Sequence, residues 1–173
     1  MRILSTLTVL LITTVAFSQS IVVKPYLQNA EPTSMHVMWE ISSAAASEVQ
    51  YGTTPSLGTT VQATLATGLG VSRICDAELT GLLPATKYYY KAVTGVTESD
   101  AYHFITPPLS SSEASFNVVA TSDMQQDWSH PTVFKDIIDD NVIPYIQQEY
   151  GSDMAEHLAY FFVPGDLVQT GSN

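Results

Sequence analysis

Cysteine is almost missing from this chain: Cys75 stands alone among 173 residues. A single thiol cannot form an internal disulfide, which excludes the class of small secreted modules stapled by such bonds. Cys75 falls in an alternating apolar stretch and reads as a buried, inert thiol. Positive charge is scarce as well, with 6 Lys+Arg against 17 Asp+Glu and a net charge of −11. That field repels polyanions, so neither nucleic acid nor an anionic membrane is expected as a partner. Phosphate esters stay open as ligands, because bound metal ions reverse the sign locally. An apolar run of the ~20 residues needed to span a bilayer is also lacking, so no stable membrane insertion is expected.

The nearest approach to such a run is Ile3 to Phe17, rich in Ser and Thr, preceded by Arg2 and closed by Ala16-Phe17-Ser18 before Gln19. A basic start, a short apolar stretch and a small-x-small ending make a secretory signal peptide, assigned to residues 1–18. No cysteine lies near the cleavage point, which argues against a lipoprotein. An exported protein without disulfides fits a bacterial envelope, periplasmic or extracellular.

Residues 21–107 follow one pattern. "SMHVMWEI" alternates, placing Met35, Val37, Trp39 and Ile41 on one face. "RICDAELTGL" sets Cys75, Ala77 and Leu79 inward, opposite Ile74, Asp76 and Glu78. "IVVKPYLQN", "SEVQYG", "TTVQATL" after a turn at "TTPSLG", "KYYYKAVTG" and "SDAYHFIT" complete a set of seven short strands. Their Gly, Pro, Ser and Asn punctuation predicts an all-β immunoglobulin/fibronectin III-like sandwich. "LLPATKYYYKAV" is more specific. Leu82, Pro84, Thr86 and Tyr88 alternate as in the corner of a fibronectin type III domain, where the tyrosine packs inward and its hydroxyl bonds back to the chain. Trp39, Leu82, Pro84 and Tyr88 are therefore read as structural. Alternation already accounts for the tyrosines, so a sugar-binding platform is the less favoured alternative.

Residues 108–115 form a linker, within "TPPLSSSEAS", where two prolines stiffen the chain and the serines cannot pack a core. From residue 116 to 173 the pattern changes. "FNVVATSD" is a continuous apolar run, predicting a strand buried on both faces. Val133, Phe134, Ile137, Ile138, Val142, Tyr145 and Ile146 recur at helical spacing. Pro131 suits the first helical turn, with Ser129 or His130 as its cap, and Pro144 should kink the helix or split it in two. "LAYFFVPGD" predicts a second buried strand, giving a βαβ unit with parallel strands.

Asp123 and Asp166 each close one of those strands. Parallel neighbours bring both carboxylates to one edge, where open α/β sheets bind ligands. Two hard oxygen donors there begin a divalent metal site. Caps for the following helices are the equally weighted alternative. Gly165 and Gly171 are read as permitting a tight turn around Asp166.

"KPYLQN", "MHVMWE", "VQYG" and "LTGLLPATKYYYKAV", followed by "VVATSDMQ" and "FFVPGDLVQTGSN", resemble the start of a purple acid phosphatase-type protein. In that family a fibronectin-like domain precedes a calcineurin-like metallophosphoesterase domain, here its first βαβ portion. The resemblance implies that Asp123 binds one metal ion, that Asp166 bridges a pair, and that Gln125 is a weak third ligand. The ions would be two divalent, or Fe and a divalent, drawn from Fe, Zn, Mn or Mg. Gln125 stands where the family usually has His, and Gln169 where purple members have the coloured tyrosinate, so no purple colour is expected. Asn173 does not match the family's later Gly-Asn-His motif. None of His36, His103, His130 or His157 fits the later histidine motifs either. His36 and His103 are expected at the surface or edge of the sandwich, His130 at a helix start near Asp127, and His157 at the end of its strand far from the chemistry. The chain is therefore expected to be the first part of a longer phosphomonoesterase and inactive alone. A fibronectin-like binding module without catalysis, or a phosphodiesterase or nucleotidase of the same superfamily, are the alternatives.

Overall fold

The computed structural model describes residues 19–122, 124 and 129–165. The leader assigned to 1–18 lies outside them. Nine strands build the first part: β1 (Ile21–Glu31), β2 (Ser34–Ile41), β3 (Ser47–Gly52), β4 (Thr59–Gln62), β5 (Thr64–Thr67), β6 (Arg73–Thr80), β7 (Lys87–Thr94), β8 (Thr97–Glu98) and β9 (Tyr102–Ile105). One sheet has the order β1-β2-β6-β5. The other runs β4-β3-β7, with β8 and β9 both pairing β7. All these pairings are antiparallel.

The expected alternation holds residue by residue. Met35, Val37, Trp39 and Ile41 of β2 and Cys75, Ala77 and Leu79 of β6 are buried against Val49, Tyr51, Tyr88, Tyr90, Ala92 and Phe104 of the facing sheet. Register explains the match, since Trp39 lies opposite Cys75 and Val37 opposite Ala77. Burial pushes the Cys75 thiol up from its ordinary pKa, as an inert core cysteine requires. The polar atoms enclosed with the core are paired. The Trp39 Nε1–H donates to Thr94 Oγ1 at 3.0 Å, and Thr94 in turn contacts Ser47 Oγ at 3.0 Å. A buried indole N–H left without an acceptor would cost about 1–3 kcal/mol.

"TTVQATL" is not one strand. It breaks at Ala63, with β4 pairing β3 in one sheet and β5 pairing β6 in the other. Alternation continues across such a crossing, so periodicity alone cannot reveal it. The turn at "TTPSLG" closes as expected, and at Gly52 a Cβ would fall 2.5 Å from the Leu57 carbonyl oxygen.

The corner forms as the motif implies. Leu82 and Tyr88 are buried, and the Leu83 backbone N–H donates to the Tyr88 hydroxyl at 3.0 Å. Pro84 is half-buried, and its carbonyl accepts from Thr86 Oγ1 at 2.8 Å. Thr106, almost fully buried, accepts from the Thr86 N–H at 2.9 Å and donates to the Leu83 carbonyl at 2.6 Å. These bonds hold Ala85 at φ 49°, a backbone region costly for any residue with a Cβ.

Residues 108–115 contain neither helix nor strand. Beyond them β10 (Asn117–Ala120) and β11 (Leu158–Phe162) form a separate parallel pair. Between them run α1 (Val133–Ile137), a π-helical turn (Ile138–Val142) and α2 (Ile143–Tyr150). Helical backbone runs on without a break from Val133 to Tyr150, so Pro144 does not split the helix; a π-helical turn precedes it and Pro144 sits in the first turn of α2. The helix start differs from expectation. Thr132, not Ser129 or His130, holds the cap position, and Pro131 precedes it. The Thr132 hydroxyl turns instead to Asp136 Oδ2 at 2.8 Å.

The expectation of strands buried on both faces is overturned. Val118 is 46% exposed and Phe161 45%. Among the described residues no further layer covers them. A groove of about 870 Å³, lined by Phe116, Val118, Tyr145 and Ile146 among others, lies between helix and strands. No described helix is long and apolar enough to cross a membrane.

Candidate functional site

Parallel register places the ends of β10 and β11 together. Val118 pairs with Tyr160, Val119 with Phe161 and Ala120 with Phe162, and the Thr121 N–H donates to the Phe162 carbonyl at 2.9 Å. Both strands therefore deliver the chain to one edge, a few residues before Asp123 and Asp166. Asp123, Gln125 and Asp166 themselves, with Asp127, Gln169, Gly171 and Asn173, lie outside the described residues. Two carboxylates and an amide oxygen, the donors expected from the sequence, are a hard set that suits divalent cations. The turn expected around Asp166 lies outside the described residues, of which Gly165 is the last. Its φ is not positive, and a Cβ there would meet nothing within 4 Å.

A second cluster escaped the sequence reading. His103 is not a simple edge residue: its side chain is 20% exposed, with Nε2 3.0 Å from Asp153 Oδ1. That nitrogen is shut off from solvent, yet the contact lacks hydrogen-bond alignment. Beside it Lys87 Nζ donates to Glu156 Oε1 at 2.5 Å. The Tyr89 ring joins the two, its centroid 5.8 Å from the His103 ring and 5.3 Å from Lys87 Nζ. The hydrogen bond from Lys87 holds the Glu156 carboxyl below its usual pKa, and the same bond raises Lys87. Donor atoms of His103, Asp153 and Glu156 fall within 4.8 Å of one another, close enough for a cation. Lys87 already supplies positive charge there, so the cluster as it stands is the Lys87–Glu156 ion pair beside the His103–Asp153 contact. Alternation along β7 and β9 marks Lys87, Tyr89 and His103 as outward. Nothing in that pattern names partners some 50 to 69 residues away.

His36 and His157 lie away from the carboxyl ends of β10 and β11. His36, outward on β2, lies 2.8 Å from Asp76 Oδ1 and 4.0 Å from Glu78 Oε1, a cross-strand contact. His157 precedes β11 at its amino end, as expected, stacked on Tyr150 with centroids 6.1 Å apart.

Residues 22–106 match the family described as Purple acid Phosphatase, N-terminal domain. This segment belongs to that family. The purple acid phosphatase N-terminal domain is thus the nine-stranded sandwich, with its Trp39 core and Tyr88 corner. Among solved structures, purple acid phosphatase PPD1 from yellow lupin (Lupinus luteus) superposes with a TM-score of 0.55 at 16% identity, over 82% of this chain and 34% of its own. The shared fold therefore extends past the sandwich, and the chain spans about a third of the lupin protein's length. PhoD matches with a TM-score of 0.49 at 15% identity, over 59% of this chain and 22% of its own. The sensor domain of the anti-sigma factor RsgI4 of Pseudobacteroides cellulosolvens gives 0.42 at 17%, over 57% of this chain and all of its own. No curated protein matches the chain.

Proposed function

We propose that this chain supplies the N-terminal domain and the first metal motifs of an exported, metal-dependent phosphoric ester hydrolase, an acid phosphatase-like phosphomonoesterase. The observation that carries this reading is the parallel pairing of β10 with β11, each strand followed within four residues by an aspartate. The purple acid phosphatase N-terminal domain ahead of that pair supports it. Asp123 would hold one ion and Asp166 would bridge to a second, with Gln125 a weaker oxygen donor. A bound pair of such ions, Fe, Zn, Mn or Mg, would polarise a phosphoryl group and supply hydroxide. The leader-like residues 1–18 and the lone cysteine support export to a bacterial periplasm or medium.

Calorimetric titration with Mn²⁺ and Zn²⁺ tests the assignment. Asp123→Asn and Asp166→Asn should each weaken binding at least about tenfold, the low end of the loss seen when even an outer-shell partner is removed. Unchanged affinity in both variants would sink the reading. The 173-residue chain by itself should not turn over p-nitrophenyl phosphate, since its three proposed ligands provide no acid for the leaving group.

A further inference from the structure

Lys87 and Tyr89 project from the same outer face of β7, and Tyr89 pairs in register with His103 of β9. Facing them is the single turn Met154–Glu156, with Asp153 at its cap position. Leu158, the first residue of β11, follows two residues later. The same turn is tied to the other parallel strand, because Asn117 Nδ2 donates to the His157 carbonyl at 3.1 Å and Asn117 lies opposite Leu158. A hold on this one turn is therefore a hold on the amino ends of both strands.

None of the hydrophobic residues packed into the sandwich core comes from the described residues of the βαβ segment. A cavity of about 990 Å³ lies between the sandwich and the parallel pair, lined by Leu27, Met35, Phe104, Tyr160 and Phe162 among others. The connecting residues 108–115 have no helix or strand to stiffen them. Charge is what bridges the gap. Lys87, one of only 6 basic residues in a chain of net charge −11, meets Glu156, and His103 meets Asp153.

We propose that Lys87, Tyr89 and His103 form an electrostatic dock on the outer face of the sandwich that receives Asp153 and Glu156. The dock orients the βαβ segment by the amino ends of its strands. In this arrangement the N-terminal domain is an anchor for the amino ends of the parallel pair. The inference does not depend on phosphatase activity, and its test reads no catalysis or metal binding at Asp123 or Asp166.

Amide hydrogen exchange on the full chain is the experiment. Lys87→Glu should speed exchange through residues 153–162 about two- to fivefold, the scale of an exposed ion pair, while the Val37 and Trp39 amides of the core keep their protection. Glu156→Lys should do the same, and the doubly exchanged Lys87→Glu/Glu156→Lys chain should recover most of the protection. Raising NaCl to about 1 M should mimic the single variants by screening. Unchanged exchange in Lys87→Glu, or failure of the charge swap to restore protection, overturns the dock. A third result also overturns it: protection that vanishes with EDTA and returns with Zn²⁺ would mean that His103, Asp153 and Glu156 hold a cation in place of direct pairing.

Discussion

The sandwich and the βαβ segment carry comparably apolar strands, yet only one of them has a closed core. Fourteen buried hydrophobic residues form the cluster in the sandwich, while in the segment Ile146 alone is buried among the described residues. Two antiparallel sheets need only each other, because each turns one apolar face inward and one polar face out. A parallel pair with apolar residues on both faces needs a layer on each side. Here α2 approaches one face without sealing it, and Phe116, Val118, Phe161 and Phe162 stay exposed. An apolar pattern therefore states what a strand requires, and burial depends on whether the rest of the molecule meets that requirement.

The difference can be broken most forcefully at Trp39. Trp39→Ala should remove about 3–5 kcal/mol from the stability of the sandwich and leave Thr94 Oγ1 without its indole donor. Urea unfolding followed by tyrosine fluorescence would show the loss, and no buried residue of the βαβ segment would be expected to match it. A smaller change sharpens the role of the corner. Tyr88→Phe keeps the packing of the ring against Tyr51 and Phe104 but removes the acceptor for the Leu83 N–H. A loss of about 1 kcal/mol is expected in the same assay, with fold and spectrum retained.

The smallest effect lies at the contact between the two regions. Glu156 has its pKa lowered, first by the hydrogen bond from Lys87 and also by the charges of Lys87, His103 and His157. A carboxylate with a depressed folded pKa contributes stability above its unfolded value and loses it as pH falls through the folded one. The contact should therefore hold at neutral pH and loosen only in acid, as pH falls below the ordinary glutamate range. Chemical shifts of Tyr89 and of the 153–158 amides should report it, while the core amides of β2 and β6 stay unmoved over the same range. A transition of the same size in Glu156→Gln would rule this group out as its source.

Much of the sandwich was legible because alternation is local. Once β2 is a strand, Met35, Val37, Trp39 and Ile41 must share a face, and the Leu82 to Tyr88 corner follows from residues adjacent in the chain. The break at Ala63 was not legible, since β4 and β5 keep a strand-like composition on both sides of the crossing. Thr132 displaced Ser129 and His130 as the cap because helix ends depend on backbone geometry that several neighbouring polar residues satisfy equally well. Of the candidate site, the chain order strand, helix, strand was enough to predict that β10 and β11 run parallel and end at one edge. The His103 and Lys87 contacts stayed hidden, because an outward position on a strand is compatible with solvent, a partner or another part of the same chain.

By itself, then, the sequence determined which faces β2 and β6 turn inward, where the tyrosine corner forms, and that a βαβ unit follows the sandwich. These properties depend on residues within a few positions of one another, where side-chain period and turn chemistry act directly. Tertiary structure alone decided which sheet receives β4 and which receives β5, how bare the parallel pair remains, and that Asp153 and Glu156 meet His103 and Lys87. Those outcomes depend on which distant surfaces come into contact, and contact between residues 50 or more positions apart is set by the packing of whole layers, which no local pattern encodes.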